Sequence, residues 1–216
     1  MDKPGASFKT SKSEQTRERI IDTYVSLLDT TGFDKVSVSR LCKEAGIVRS
    51  TFYVYFSDIY EVIQTIEDEL IAAFAHVDAL ALEHAAQDEA RPKTEWGFPI
   101  LPPYSLSCWF ELCDANRMRL CALLGPHGDP YFEQKLRRQL SEHVSIMMDE
   151  DHMPQDELRR GFVESMVEMH LMLLRNWLLH EKTSLTRERI VTILNALRFG
   201  GNAMEYYLPK DTPALW

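Results

Sequence analysis

The sequence predicts an all-α fold on three observations. Apolar residues recur three and four positions apart in successive stretches from about residue 14 to residue 207. No stretch alternates apolar and polar residues as a half-buried strand does. Stop signals separate the stretches: Gly32, Gly46, the run from Pro92 to Pro103, and Gly125-Pro-His-Gly-Asp-Pro130. With 216 residues, 45% hydrophobic, the chain can bury one sizeable core or two small ones.

Residues 1–13 are rich in Lys, Ser and Thr without apolar periodicity and read as a flexible N-terminal tail. The first helix follows over Glu14–Thr31, its stripe Ile20, Ile21, Tyr24, Val25, Leu27 and Leu28 ending at Gly32. Ser37 is an N-cap, and Val38, Leu41, Cys42 and Ala45 then line one face of a second helix. Gly46 can take the positive φ of a sharp turn, Ile47 plugs the corner, and a third helix begins near Arg49. Residues 14–57 thus read as a helix-turn-helix domain.

In that third helix Phe52 and Phe56 lie one turn apart and point inward, while Arg49, Ser50, Tyr53 and Val54 face outward. The outer set suits a DNA major groove. Arg can donate two parallel hydrogen bonds to guanine O6 and N7, Ser can bond to bases or phosphates, and Tyr offers a ring and a hydroxyl. A solvated face on a short core helix fits the same spacing.

Residues 58–216 read as a larger helical domain. Asp58 caps a long helix reaching Ala86, with Val62, Ile63, Ile66, Leu70, Phe74 and Val77 on one side. Residues 87–104 predict an ordered loop anchored by Trp96 and Phe98. Two helices over 105–124, and one each over 131–150, 155–180 and 186–207, complete the domain. The 155–180 helix is apolar on two sides. One stripe can face the core while Val167, Leu171, Leu174 and Leu178, with Gly161 allowing close approach, meet a second subunit; a central helix buried all round fits equally.

The net charge of minus nine conceals an asymmetry. Residues 1–57 hold nine Lys and Arg against seven Asp and Glu, and the remainder holds fifteen against twenty-six. The basic excess therefore sits with the helix-turn-helix and predicts modest, salt-dependent affinity for phosphates. Cys42, Cys108, Cys113 and Cys121 form no C-x-x-C pair, which fits a reducing compartment and predicts no metal site. With no signal-peptide h-region and no apolar run of about 18 residues, the expected location is cytoplasmic, away from membranes. The seven histidines make no H-E-x-x-H set and no G-x-S-x-G elbow occurs, so no catalytic residue and no cofactor is expected. Trp109, Phe110, Met118, Phe132, Met147, Met166 and His170 are candidates for an adaptable effector cavity, because Met repacks easily; plain core packing is the alternative.

From Arg17 to Ile63 the chain resembles the DNA-binding domain of the tetracycline-repressor (TetR/AcrR) family. The resemblance runs through the first helix, Gly32-Phe33, Ala45-Gly46-Ile47 and Ser50-Thr51-Phe52-Tyr53-Val54-Tyr55-Phe56. It implies that Arg49, Ser50 and Tyr53 read bases and that Ser37, Thr51 and Tyr55 contact phosphates. Val48 stands where the family usually has a polar cap, and Ile59 where a Lys commonly meets a phosphate. Double-stranded operator DNA, a small-molecule effector and a homodimer formed through the last two helices are the implied partners. The expected function is a one-component transcription regulator, a repressor released from a palindromic operator by a small apolar or amphipathic effector. A ligand-independent DNA-binding protein acting through a protein partner is one alternative, and a helical ligand-binding protein or enzyme with a structural head is another.

Overall fold

The computed structural model describes residues 11–84, 101–180 and 184–207. The expectations for residues 1–10 and for Trp96 and Phe98 lie outside the described residues. Every regular element among the described residues is helical.

α1 (Lys12–Leu28) starts two residues before the predicted Glu14, because Ser11 and Glu14 cap each other. Glu14 N donates to Ser11 Oγ at 3.1 Å, and Ser11 N to Glu14 Oε2 at 2.7 Å. That amide holds the Glu14 carboxyl below its usual range. The helix ends before the predicted Thr31, since the Thr30 and Thr31 amides both fold back onto Leu27 O. A single 3-10 turn over Phe33–Lys35 leads to α2 (Val38–Glu44), capped as expected by Ser37 Oγ accepting from Arg40 N. Gly46 takes φ 62°, the left-handed conformation a side chain would strain. α3 (Arg49–Tyr55) then follows, with Phe52 and Phe56 in the core formed by Ile20, Tyr24 and Leu41.

α4 (Ile59–His84) opens with Glu61 N donating to Asp58 Oδ1 at 2.9 Å. At about 1.5 Å per residue it is roughly 39 Å long, packing on α1 at one end and on α5 (Tyr104–Ala115) and α7 (Phe132–Glu150) at the other. α6 (Arg117–Leu124) lies against α1 and α8 (Glu157–Leu179), and α9 (Arg187–Tyr207) against α8 and α5. One apolar cluster runs continuously from Ile20 in the head to Leu194 in the body.

Polar bonds also cross from head to body. Arg119 on α6 reaches Glu18 on α1 at 2.8 Å and Glu69 on α4 at 3.2 Å, and Arg17 on α1 reaches Glu69 at 2.6 Å. Phe33 N donates to His127 O at 2.9 Å. In the body, Arg198 on α9 pairs with Asp151 at 2.6 Å, both side chains 1% exposed.

The α8 expectation needs correction. Val167, Leu171, Leu174 and Leu178 are all buried within one protomer, because α8 is sandwiched by α6, α7 and α9, so they have no surface to offer a second subunit. The exposed line of α8 is instead Leu158, Gly161, Ser165 and Met172, and a Cβ at Gly161 would meet nothing within 4 Å. Ile193, Ala196, Leu197 and Gly200 form the corresponding exposed line of α9. Between the two lines, Gly201 of α9 lies so close to the Phe162 ring of α8 that an added Cβ would stand 2.2 Å from it.

Candidate DNA interface and a buried polar cluster

Ser37, Arg49, Ser50, Tyr53 and Val54 are exposed together on the outer side of α2 and α3. Arg49 and Tyr53 are neighbours one turn apart, and Arg49 Nη2 donates to the Tyr53 hydroxyl at 3.2 Å. Tyr53 is itself braced edge-on against buried Phe52, with ring centroids 5.4 Å apart. A guanidinium held this way projects from a fixed aromatic post, a geometry suited to bidentate recognition of a base edge. Thr51 and Tyr55 are half-buried at the flank of α3, and Tyr55 OH accepts from Ser13 Oγ at 3.2 Å, bringing the start of α1 beside the end of α3. Val48 makes no side-chain cap to α3, and Ile59 is 9% exposed in the core, so neither supplies a polar group here.

Arg40 escaped the sequence reading. It lies one turn after the Ser37 cap, exposed, with Nη1 donating to Thr31 Oγ1 at 2.7 Å, and it joins Ser37 as a candidate phosphate contact. Its signal was a cation three residues past the cap. A groove elsewhere on the head, lined by Glu18, Arg19, Asp22 and Glu44, is acidic in balance and suits phosphate less well.

The family description "Bacterial regulatory proteins, tetR family" matches residues 20–66, from within α1 to the second turn of α4. Over those residues the head of this chain matches the tetR family. An uncharacterized HTH-type transcriptional regulator, YvdT, of Bacillus subtilis is 35% identical over 54 residues, which is 25% of this chain and 28% of that relative. Among solved structures, the fatty acid degradation regulator FadR from Bacillus halodurans superposes with a TM-score of 0.59 at 15% identity, covering 93% of this chain and 98% of the other. A TetR transcriptional regulator from Streptococcus agalactiae gives 0.54 at 21% identity, covering 86% and 94%. These two show that the fold of this chain, body as well as head, is shared with those regulators.

In the body, Trp109, Phe110, Phe132, Met147, Met166 and His170 are all buried, at 0 to 3% exposure, and the rings of Trp109, Phe110 and His170 meet, whereas Phe132 and Met147 lie toward opposite ends of α7. Met118 does not join them. It is 70% exposed and lines a groove between α1 and α6 with Val25 and Arg119, because α6 turns its Leu120 and Leu123 face inward. His143 on α7, which the sequence reading passed over, stands in the cluster instead: Trp109, His143 and His170 form a triangle with ring centroids 6.1, 6.4 and 6.5 Å apart. Phe74 of α4 stacks on Trp109 at 4.7 Å.

The polar atoms in this cluster are unevenly satisfied. His143 Nδ1 lies 2.5 Å from Asp78 Oδ1 of α4, and Gln139 Nε2 donates to the other Asp78 oxygen at 2.7 Å. His170 Nδ1 lies 2.7 Å from Met166 O. A carbonyl only accepts, so Nδ1 carries the proton and Nε2 is left as a lone-pair acceptor. Burial pushes the His170 imidazole down to about 3, keeping it neutral. Trp109 Nε1, His143 Nε2, His170 Nε2 and Ser105 Oγ, fully buried, have no hydrogen-bond partner among the described residues. Each such group costs about 1 to 3 kcal/mol when nothing bonds to it. Cys42 and Cys113 are buried and all four cysteines are free.

Proposed function

We propose that this chain is a dimeric, one-component transcription regulator, with 14–57 as its DNA-binding unit and 58–216 as its effector-binding and dimerisation unit. The observation that carries the reading is the exposed Arg49–Tyr53 pair on a braced recognition helix within a tetR-family head. Operator DNA is an inverted repeat, met by two heads whose half-sites are about 34 to 36 Å apart or at a related helical spacing. Repression is the output, by occupation of the operator. The exposed lines of α8 and α9 support pairing with a second copy through Leu158, Gly161, Met172, Ile193 and Leu197.

A small effector binds in the body and lowers operator affinity by tilting α4, whose first residue lies four positions after Tyr55 and whose Phe74 and Asp78 touch the buried cluster. A coupling of roughly 1 to 3 kcal/mol would weaken operator binding about 5- to 150-fold. The test is selection of bound fragments from genomic DNA, followed by a screen for compounds that release the selected fragment. Recovery of an inverted repeat is expected; recovery of unrelated sequences at salt-dependent, uniform affinity would sink the reading.

A second reading, a ligand-independent DNA-binding protein that recruits a protein partner, draws support from the burial, at 0 to 3% exposure, of the six residues nominated for the cavity other than Met118. It predicts that no small molecule alters operator affinity.

A further inference from the structure

Resting on the effector reading above, we propose that the Trp109–His143–His170 triangle is a hydrogen-bonding socket for an uncharged apolar ligand bearing a hydroxyl or primary amide group. Three helices, α5, α7 and α8, each contribute one ring to it, and each ring carries one nitrogen that no group among the described residues satisfies. Core histidines and tryptophans normally find partners, so three unpartnered nitrogens on rings whose centroids lie 6.1 to 6.5 Å apart mark a place where something else completes the bonding. Ser105, one turn before Trp109 on the same face of α5, adds a fourth unsatisfied atom.

The chemistry of these atoms selects the ligand. Trp109 Nε1 only donates, so the ligand must accept. His170 Nε2 accepts, because its Nδ1 proton is committed to Met166 O, so the ligand must also donate. Hydroxyl and primary amide groups do both. A carboxylate fits poorly: the His170 lone pair repels it, and the Asp78 carboxylate already lies 2.5 Å behind His143. Among the described residues no Lys or Arg bonds to or stacks on any of the three rings to neutralise a second anion. The walls are apolar, with Phe74 stacked on Trp109 and Phe110 on His170 at 6.2 Å, so the remainder of the ligand is aromatic or aliphatic. Since Asp78 and Phe74 both belong to α4, an occupant would act directly on the helix that leads to the head.

The test compares four probes of one shape, 2-naphthol, 2-naphthamide, naphthalene and 2-naphthoate, titrated into the full-length protein near neutral pH. The readouts are calorimetric Kd and the indole N–H resonance of Trp109, assigned through its contact with the Phe74 ring. Naphthol and naphthamide should bind roughly tenfold or more tightly than naphthalene, the factor one net hydrogen bond supplies. They should shift the Trp109 resonance, and naphthoate should gain nothing over naphthalene. His170→Phe should remove the advantage of the polar probes while leaving naphthalene binding; if that variant does not fold, the four-probe comparison on the parent decides alone. Equal binding of all four, preference for naphthoate, or an unmoved Trp109 resonance with every probe would overturn the socket, the last by leaving a buried water as its only occupant. Operator affinity, measured alongside, separates the two readings. Naphthol binding at Trp109 with unchanged operator affinity keeps the socket and removes the effector function. Operator release by a compound that leaves the Trp109 resonance still keeps the effector function and removes the socket.

Discussion

Arg119, on α6 in the body, donates to Glu18, on α1 in the head, at 2.8 Å, and a second nitrogen of the same guanidinium reaches Glu69 on α4 at 3.2 Å. One side chain thus ties together the first helix, the connecting helix and the body. These groups are partly exposed, so the net stabilisation is small, about 0.2 to 1 kcal/mol. Arg119→Ala and Glu18→Ala, alone and combined, should give a coupling energy in that range by urea denaturation. The coupling should shrink at high salt. The larger consequence should be orientational, with operator affinity in Arg119→Ala changing by more than its stability does. Unchanged operator affinity beside a measurable coupling energy would confine the contact to stability.

Arg49→Ala should cost about 1 to 3 kcal/mol on the specific operator and relax preference at one base pair, leaving non-specific binding nearly intact. Tyr53→Phe keeps the ring but removes the hydroxyl 3.2 Å from the guanidinium. It should cost less, about 0.5 to 1.5 kcal/mol, by loosening Arg49. Competition binding against operator variants separates the two. A uniform loss across all sequences would make Arg49 a phosphate contact.

The head was legible because its signals are local. Ser37 as a cap, Gly46 at the turn and Phe52 with Phe56 as the inward pair each follow from residues a few positions apart, and each stands where the sequence puts it. The body was legible only as a set of helices. Leu171 and Leu174 lie on an apolar stripe whose partner, another helix of the same chain or of a second one, is decided by how α6, α7 and α9 surround α8. Periodicity does not carry that information. Met118 shared the composition of a pocket residue yet faces out, because α6 is short and its Leu120 and Leu123 side takes the core. Asp78 lies 61 residues before Gln139 and 65 before His143 and meets them only through packing, so their buried network gave no motif to read. Arg198 and Asp151, 47 residues apart, meet in the same way.

The corrected α8 surface makes a discriminating prediction about assembly. Met172→Glu or Leu197→Glu, at 49% and 38% exposure, should yield folded monomers at micromolar concentration by sedimentation, with helicity unchanged. Leu174→Glu, at 0% exposure, should instead lose the native fold, since it places an unpaired charge in the core. If Met172→Glu and Leu197→Glu together remained dimeric, these lines would not be the interface.

Acid should destabilise the protein through His170. Its folded value of about 3 lies below the ordinary 6.5 of an exposed imidazole, chiefly because burial disfavours the cation. In the window between those two values the unfolded chain binds a proton that the folded chain refuses, so stability falls as pH falls. The contribution is intact above about 6.5 and declines by about 1.4 kcal/mol per pH unit below it, until the folded imidazole itself protonates near 3. Between pH 7 and pH 5 the parent should therefore lose about 2 kcal/mol from this group in urea denaturation. Glu14 and Glu61, whose carboxyls are held low by the Ser11 and Ser57 amides, also lose stability on acidification, but below the ordinary carboxylate value of 4.5 and so later in the titration. His170→Phe removes the titrating group while keeping an aromatic ring against Phe110. Its stability should be nearly flat over the same pH interval, even if its absolute value differs from the parent's. An equal slope in parent and variant would mean that His170 stays as accessible to protons as it is in the unfolded chain, in conflict with its complete burial between Met166, Trp109 and Phe110.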